Sequence, residues 1–150
     1  REQTFELAEL LSTKAEERGS ILRLGGHLDF TFMFRKGHKP KGCTAGKSKC
    51  VITPRGQVLP CPVFKGLDKF IAGNVRKMSL GKIWKESRVF KELRGFDPKR
   101  MKGPCRRCPY LIPCQGRCPA QRYYEYSDLY MGPDPYCPRE AMTTLARIIP

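Results

Sequence analysis

Apolar residues recur at helical spacing near the start of the chain. This stripe predicts an amphipathic helix over residues 2–18 that stops at Gly19. Farther along, three phenylalanines on every second position predict a β-strand over residues 29–34. The apolar positions of the helix are Phe5, Leu7, Ala8, Leu10, Leu11 and Ala15, and those of the strand are Phe30, Phe32 and Phe34.

Two β-prone runs in the middle of the chain predict a hairpin. They cover residues 51–53 and 57–59, and the sequence Pro54-Arg55-Gly56 between them is typical of a turn. The hairpin would begin just after Cys50 and end at Cys61. Because the ends of paired antiparallel strands lie side by side, we expect those two thiols to be near each other.

Three further helices are predicted in the second half of the chain. The first covers residues 80–94, between a capping serine, Ser79, and Gly95. The others cover residues 119–126, which begin with a proline, and roughly residues 139–149. The apolar stripe of the first helix consists of Leu80, Ile83, Trp84, Phe90 and Leu93, and we expect Trp84 to be a core residue.

These elements predict a small α+β protein. A helix–strand unit comes first, followed by a β-hairpin, a helix and cysteine-rich loops. The 150 residues correspond to about one domain, and the hydrophobic fraction of 40% is enough for only a lean core. No stretch approaches the roughly 18 apolar residues of a membrane span, and no secretory signal is visible, so we expect a cytoplasmic protein. Because the sequence opens at Arg1 rather than at methionine, we also expect a piece of a longer chain.

The formal net charge of +15 is concentrated in the middle of the chain. Residues 31–107 carry 21 basic and 4 acidic residues, whereas the two flanking sections together are slightly acidic. Within that section, residues 35–49 contain six basic residues and no acidic residue. Such a field attracts nucleic acid, an acidic peptide or an acidic protein surface, and it is equally typical of a solvated surface.

Eight cysteines provide the main candidate chemistry. An even number is compatible with disulfides, but a chain of 150 residues with this helix content is large for a disulfide scaffold. Structural zinc sites and iron–sulfur clusters each use four thiolates, so two sites of either kind would use all eight. Six of the cysteines adjoin a proline, which fixes φ and holds the thiol in a stiff loop suited to a metal site. The cysteines are Cys43, Cys50, Cys61, Cys105, Cys108, Cys114, Cys118 and Cys137.

The cysteine spacing resembles that of the SPASM domain, the C-terminal extension of many radical S-adenosylmethionine (SAM) enzymes. The resemblance covers about residues 43–137 and includes Gly56, Gly73-Asn74 and Trp84. Many of these enzymes modify peptides or proteins. Cys50 matches a further ligand found in many members with two fully ligated clusters. The patterned cysteines are Cys43-x12-Gly56-x4-Cys61, then Cys105-x2-Cys108-x5-Cys114-x3-Cys118, and finally Cys137.

The resemblance implies two [4Fe–4S] clusters as cofactors, held by crossed sets of ligands. Two zinc ions are the alternative that the thiols leave open. Clusters that join distant loops would support a domain with a lean core. The first cysteine set would be Cys43, Cys50, Cys61 and Cys118, and the second cysteine set would be Cys105, Cys108, Cys114 and Cys137.

The resemblance also implies a catalytic partner. Radical SAM enzymes bind their catalytic cluster through a Cys-x3-Cys-x2-Cys motif, which these 150 residues lack. We therefore expect that this chain alone does not cleave SAM and contributes no catalytic residue. Residues 1–34 resemble the last helix–strand unit of a radical SAM partial TIM barrel, and residues 35–150 resemble the SPASM domain. The barrel, in cis or in trans, is the expected partner.

Two functions from different classes follow. In the first, the chain is the auxiliary-cluster domain of a radical SAM enzyme, where it serves electron transfer and positions an acidic peptide or protein substrate. In the second, it is a structural zinc protein that binds nucleic acid through its basic middle section. The metal content distinguishes the two hypotheses.

Overall fold

A computed structural model describes residues 2–17, 30–33 and 42–139. By its internal contacts the chain divides into a hairpin unit, residues 44–97, and a cysteine unit, residues 1–43 with 98–150. None of the described helices is long and apolar enough to cross a membrane. The helices are α1 (Glu2–Glu17), α2 (Leu80–Glu86), α3 (Arg88–Arg94), α4 (Leu111–Cys114) and α5 (Pro119–Tyr126), and the strands are β1 (Val51–Ile52), β2 (Gln57–Leu59) and β3 (Gly73–Asn74).

The hairpin unit contains an antiparallel sheet with the strand order β1-β2-β3. The predicted hairpin is confirmed, because Val51 pairs with Leu59. Its turn is closed by a hydrogen bond of 2.8 Å from the N–H of Gly56 to the carbonyl of Thr53. Gly56 has a φ of 79°, a left-handed conformation that favours glycine. The strand β3 was not predicted, because a Gly-Asn pair has low β-propensity.

The helix predicted over residues 80–94 is interrupted at Ser87. This residue has an extended ψ of 127° and separates α2 from α3, so the prediction of one continuous helix was wrong. The predicted ends are confirmed. The hydroxyl of Ser79 accepts a hydrogen bond of 3.3 Å from the N–H of Lys82, and Gly95 follows α3.

That core joins the sheet to α2 and α3. Val58 of β2, Ile83 of α2 and Phe90 of α3 are almost completely buried and form one cluster. Trp84 is half-buried against this cluster, with its ring centroid 5.1 Å from that of Phe90, as expected of a core residue. Leu80 is 40% exposed, so the buried stripe begins only at Ile83.

The cysteine unit contains the predicted N-terminal helix, as α1, and the helix predicted over residues 119–126, as α5. Two residues of the predicted α1 stripe, Leu7 and Leu10, are 45% and 55% exposed. The side chains of the other stripe positions lie outside the described residues. The helix predicted over residues 139–149 also lies outside them, apart from Arg139.

Residues 31–33 form a 3-10 turn rather than the predicted strand. The N–H of Met33 donates to the carbonyl of Phe30 at 3.0 Å and so closes the turn. Phe30 and Phe32 are both buried, with ring centroids 6.2 Å apart, and Tyr110 packs against them. The alternating pattern thus correctly identified Phe30 and Phe32 as buried neighbours, but they are placed together by a tight turn and not by a strand. The boundary predicted after residue 34 lies outside the described residues.

Candidate metal centre

The second cysteine set lies within the cysteine unit, on short turns. A 3-10 helix over Gly103–Arg107 carries Cys105 and is followed by Cys108, whose N–H donates to the carbonyl of Cys105 at 3.0 Å. Cys114 is the last residue of α4, and Cys137 follows a turn in which its N–H donates to the carbonyl of Asp134 at 2.8 Å. None of the eight cysteines, all of which the structure describes, forms a disulfide.

The four thiols of this set are electrostatic neighbours. Burial raises the pKa of Cys105 to about 11, and a thiolate at Cys137 would raise it further. Burial also raises the pKa of Cys114 to about 12, again with Cys137 as the next cause. For Cys137, burial raises the pKa and the charge of Cys108 contributes in the same direction. These thiols are therefore within electrostatic range of one another, and that they form one ligand set stays a prediction.

A left-handed loop separates the two cysteines of the Cys-x3-Cys motif, Cys114 and Cys118. Gln115, Gly116 and Arg117 have φ values of 53°, 68° and 54°. In a continuous helix, Cys114 and Cys118 would lie one turn apart on the same face. The left-handed run ends α4 at Cys114, and α5 begins only after Cys118. The two thiols are therefore carried by different helical segments.

The side chain of Asp134 is tied to the backbone of the cysteine loops. Asp134 is only 2% exposed. Its Oδ2 accepts the N–H of Cys118 at 2.9 Å, and its Oδ1 accepts the N–H of Tyr136 at 2.9 Å. The carbonyl of the same residue accepts the N–H of Cys137. One buried residue thus fixes the backbone at a predicted ligand of each set, and the sequence analysis did not identify it.

The first cysteine set is distributed over both units. In the cysteine unit, burial raises the pKa of Cys118, and the negative charges of Asp134 and Cys43 add to that effect, so Cys43 is an electrostatic neighbour of Cys118. In the hairpin unit, Cys50 precedes β1 and Cys61 follows β2, which places both at the same end of the hairpin. That all four bind one group stays a prediction.

The thiols fit a group that supplies positive charge. Within the part of the chain that the structure describes, no three cysteine, histidine or carboxylate side chains are gathered closely enough to hold a single metal ion. The second cysteine set is nevertheless close enough for its charges to interact, and burial favours the neutral form of Cys105 and Cys114. Cationic iron would stabilise thiolates that are unfavourable without it, and thiolates are the usual ligands of iron–sulfur clusters.

A sequence profile of the SPASM family, described as an iron–sulfur cluster-binding domain, matches residues 43–109. The matched range contains the complete hairpin unit and five of the eight cysteines. The other three cysteines of the two predicted sets follow the matched range and are Cys114, Cys118 and Cys137.

Relatives of the chain include proteins named for three activities. The AdoMet-dependent heme synthase of Methanosarcina barkeri is 38% identical over 97 residues, which are 65% of this chain and 26% of the relative. The mycofactocin maturase of Mycolicibacterium smegmatis is 40% identical over 98 residues, 63% of this chain and 23% of the relative. The PqqA peptide cyclase of Xanthomonas euvesicatoria is 29% identical over 149 residues, 98% of this chain and 38% of the relative. The chain thus spans between about a quarter and two fifths of the length of these relatives.

The raised pKa values of Cys105 and Cys114 predict that metal binding by the second cysteine set strengthens with pH. Cys105 and Cys114 have pKa values of about 11 and about 12. Both thiols are therefore protonated between pH 7 and pH 9, and metal binding must release their protons. The association constant for Zn²⁺ should therefore rise about tenfold per pH unit for each proton released. Competition with a chromogenic chelator, corrected for the chelator's own titration, measures this rise. An association constant that is flat from pH 7 to pH 9 would contradict the prediction.

Proposed function

We propose that this chain is the auxiliary-cluster domain of a radical SAM enzyme that modifies a peptide or protein. The observation that carries the proposal is the agreement between the SPASM match and the clustered thiols of the cysteine unit. A peptide or protein substrate is supported by relatives whose names describe a maturase and a peptide cyclase. The catalytic cluster would belong to a radical SAM barrel in cis or in trans, of which residues 1–34 would be the last unit and residues 35–150 the auxiliary domain.

Two [4Fe–4S] clusters are the proposed cofactors. The second cysteine set would hold one cluster, and its support is the mutual electrostatic influence of its four thiols. The first cysteine set would hold the other, supported by the spacing of the cysteines and by the influence of Cys43 on Cys118. When bound, such clusters accept and donate single electrons, which suits exchange with a substrate radical. The role of the chain is to hold the clusters by thiolates and to exclude water around them.

The basic hairpin unit is the proposed docking surface for an acidic substrate segment. It carries twelve basic and four acidic residues. Several of the basic residues lie exposed on α2 and α3, where they would attract an acidic peptide from solution. Docking through exposed cations weakens as salt increases, because counterions screen the charges. The exposed basic residues of these helices are Lys82, Lys85, Arg88 and Lys91.

Metal analysis of protein that has never been exposed to air tests the proposal. The chain should be brown and contain about eight iron atoms, since two cubanes contain four each. A structural zinc protein would instead contain about two zinc ions. Air must be excluded throughout, because thiolates that lose iron can take up zinc at the same positions. A folded, colourless and iron-free chain would overturn the proposal, and salt-sensitive binding of nucleic acid by that chain would favour the zinc alternative.

A further inference from the structure

Arg122 is a fully buried cation beside the cysteines. It is 0% exposed, although arginine is usually found at the protein surface. It lies on α5 one turn after Cys118, whose carbonyl accepts the N–H of Arg122 at 3.2 Å. Burying a guanidinium is unfavourable unless other groups compensate its lost hydration. The groups around Arg122 therefore show how its buried charge is compensated and which side chains it influences.

The left-handed loop holds the guanidinium in place. Nη1 of Arg122 donates to the carbonyl of Gly116 at 3.0 Å and lies 3.1 Å from Sδ of Met101. Gly116 has no side chain, and a Cβ at that position would overlap Nη1. The loop between Cys114 and Cys118 thus leaves a space that the guanidinium fills. Its position is fixed by the backbone next to the ligands.

The charge of Arg122 acts on cysteines of both proposed sets. Burial lowers the pKa of Arg122, and the charge of Asp134 is the largest influence that opposes this effect. The charges of Cys105, Cys114 and Cys118 oppose it as well. Asp134 thus favours the charged form of the guanidinium, while both of its own carboxylate oxygens accept backbone N–H groups.

Other cations near the second cysteine set are less completely buried. Arg117 acts on Cys114 and is 7% exposed, with its guanidinium carbon 5.7 Å from the ring centroid of Phe30. Arg139 acts on Cys105 and is partly exposed. Arg122 differs from both because it is completely shielded from water. A charge in a medium of low effective dielectric interacts more strongly with its neighbours than an exposed charge does.

We infer that Arg122 is a positioning residue whose fixed, buried charge raises the reduction potential of the cluster held by the second cysteine set. The inference rests on the proposed function. A cubane with four thiolates carries a charge of about −2 and becomes more negative on reduction. A fixed, buried cation stabilises the more negative state preferentially, whereas solvent and salt screen an exposed cation.

Three variants of the full chain separate the charge of Arg122 from its packing. Arg122→Gln removes the charge and keeps a polar side chain, and Arg122→Lys keeps the charge but loses the planar fork of donors. Arg107→Gln is the matched control, because it removes one positive charge from an exposed position between Cys105 and Cys108. Each variant is loaded anaerobically with iron and sulfide. Iron per chain and the midpoint potentials, followed by electron paramagnetic resonance, are the first two measurements, and the affinity of the metal-free chain for Zn²⁺ is the third.

Arg122→Gln should shift at least one midpoint to a more negative potential and weaken Zn²⁺ binding at least about tenfold, since one charge-assisted interaction is lost. Arg122→Lys should restore most of both values, and Arg107→Gln should leave them unchanged. The inference is overturned if Arg122→Gln keeps both wild-type values, or if Arg107→Gln changes them equally. If Arg122→Gln does not retain clusters, Arg122→Lys decides between the two roles. Clusters retained in Arg122→Lys support the role of the charge. Clusters lost equally in Arg122→Lys show that only the hydrogen bonding of the guanidinium to the loop matters, and the inference is wrong. A wild-type chain without iron would count against the proposed function, and Zn²⁺ binding would still test Arg122.

Discussion

Replacing Cys137 with alanine should remove about half of the iron from the anaerobically loaded chain, since four irons belong to each proposed cubane. The variant would lose one of four thiolates of the second cysteine set while leaving the first set intact. Cys50→Ala should cause a loss of similar size by disabling the other cluster. Iron and sulfide analysis measures both losses. Tyr136→Phe is the matched control, because Tyr136 adjoins Cys137 and its side chain is 41% exposed.

Double variants test how the eight cysteines are divided. If Cys105 and Cys137 serve the same cluster, the combination of Cys105→Ala and Cys137→Ala should lose no more iron than either single variant. The combination of Cys50→Ala and Cys137→Ala should lose nearly all of it, because the two changes would disable different clusters. Residues that act as one unit show such non-additive effects, and independent sites add. A loss of all iron in the first combination, with half retained in the second, would show that the proposed ligand sets are wrong.

Replacing Gly116 with alanine should destabilise the cluster-loaded chain by about 3 kcal/mol, which combines a left-handed backbone penalty with overpacking. The residue has a φ of 68°, and an added Cβ would overlap Nη1 of Arg122 and lie 2.9 Å from Cε of Met101. Because Arg122 is buried, it cannot swing into solvent without leaving its hydrogen bond to the Gly116 carbonyl. A fall in Tm of roughly 10 °C is expected for a chain of this length.

Gly81→Ala is the matched control for this change. Gly81 is exposed on α2, and a Cβ there would meet no atom within 4 Å. Alanine favours a helix more than glycine does, so this variant should be neutral or more stable by up to about 1 kcal/mol. Thermal unfolding of both variants, followed by circular dichroism under anaerobic conditions, makes the comparison. Equal Tm values for Gly116→Ala and the wild type would contradict the packing described around Arg122.

Local signals in the sequence predict several elements well. Pro119 at the first position of α5 and the turn residues before Gly56 each specify one backbone geometry, so both elements form where they were expected. The interruption at Ser87 was not predicted, because the residues on both sides of it favour a helix. Ser87 is the N-cap of α3, and serine favours a cap over a helix interior.

The sequence allowed us to predict which cysteines belong to the candidate site, but it did not reveal the charged residues buried around them. The couplings among Cys105, Cys108, Cys114 and Cys137 agree with the set that the motif suggested, and that they bind one cluster stays a prediction. Arg122 and Asp134 escaped notice because charged residues are placed at the surface by default. One signal was available for Arg122, namely its position four residues after Cys118, which places it on the same helical face as a predicted ligand.

The left-handed run between Cys114 and Cys118 has a consequence for protein design. Gln115 and Arg117 adopt a left-handed conformation that is unfavourable for residues with a side chain, and Gly116 between them adopts it as well. A Cys-x3-Cys motif transplanted onto an ordinary helix would direct both thiols to one side and build a different site. An engineer who wishes to graft this pair onto another scaffold must therefore copy the handedness of the connecting loop along with its length.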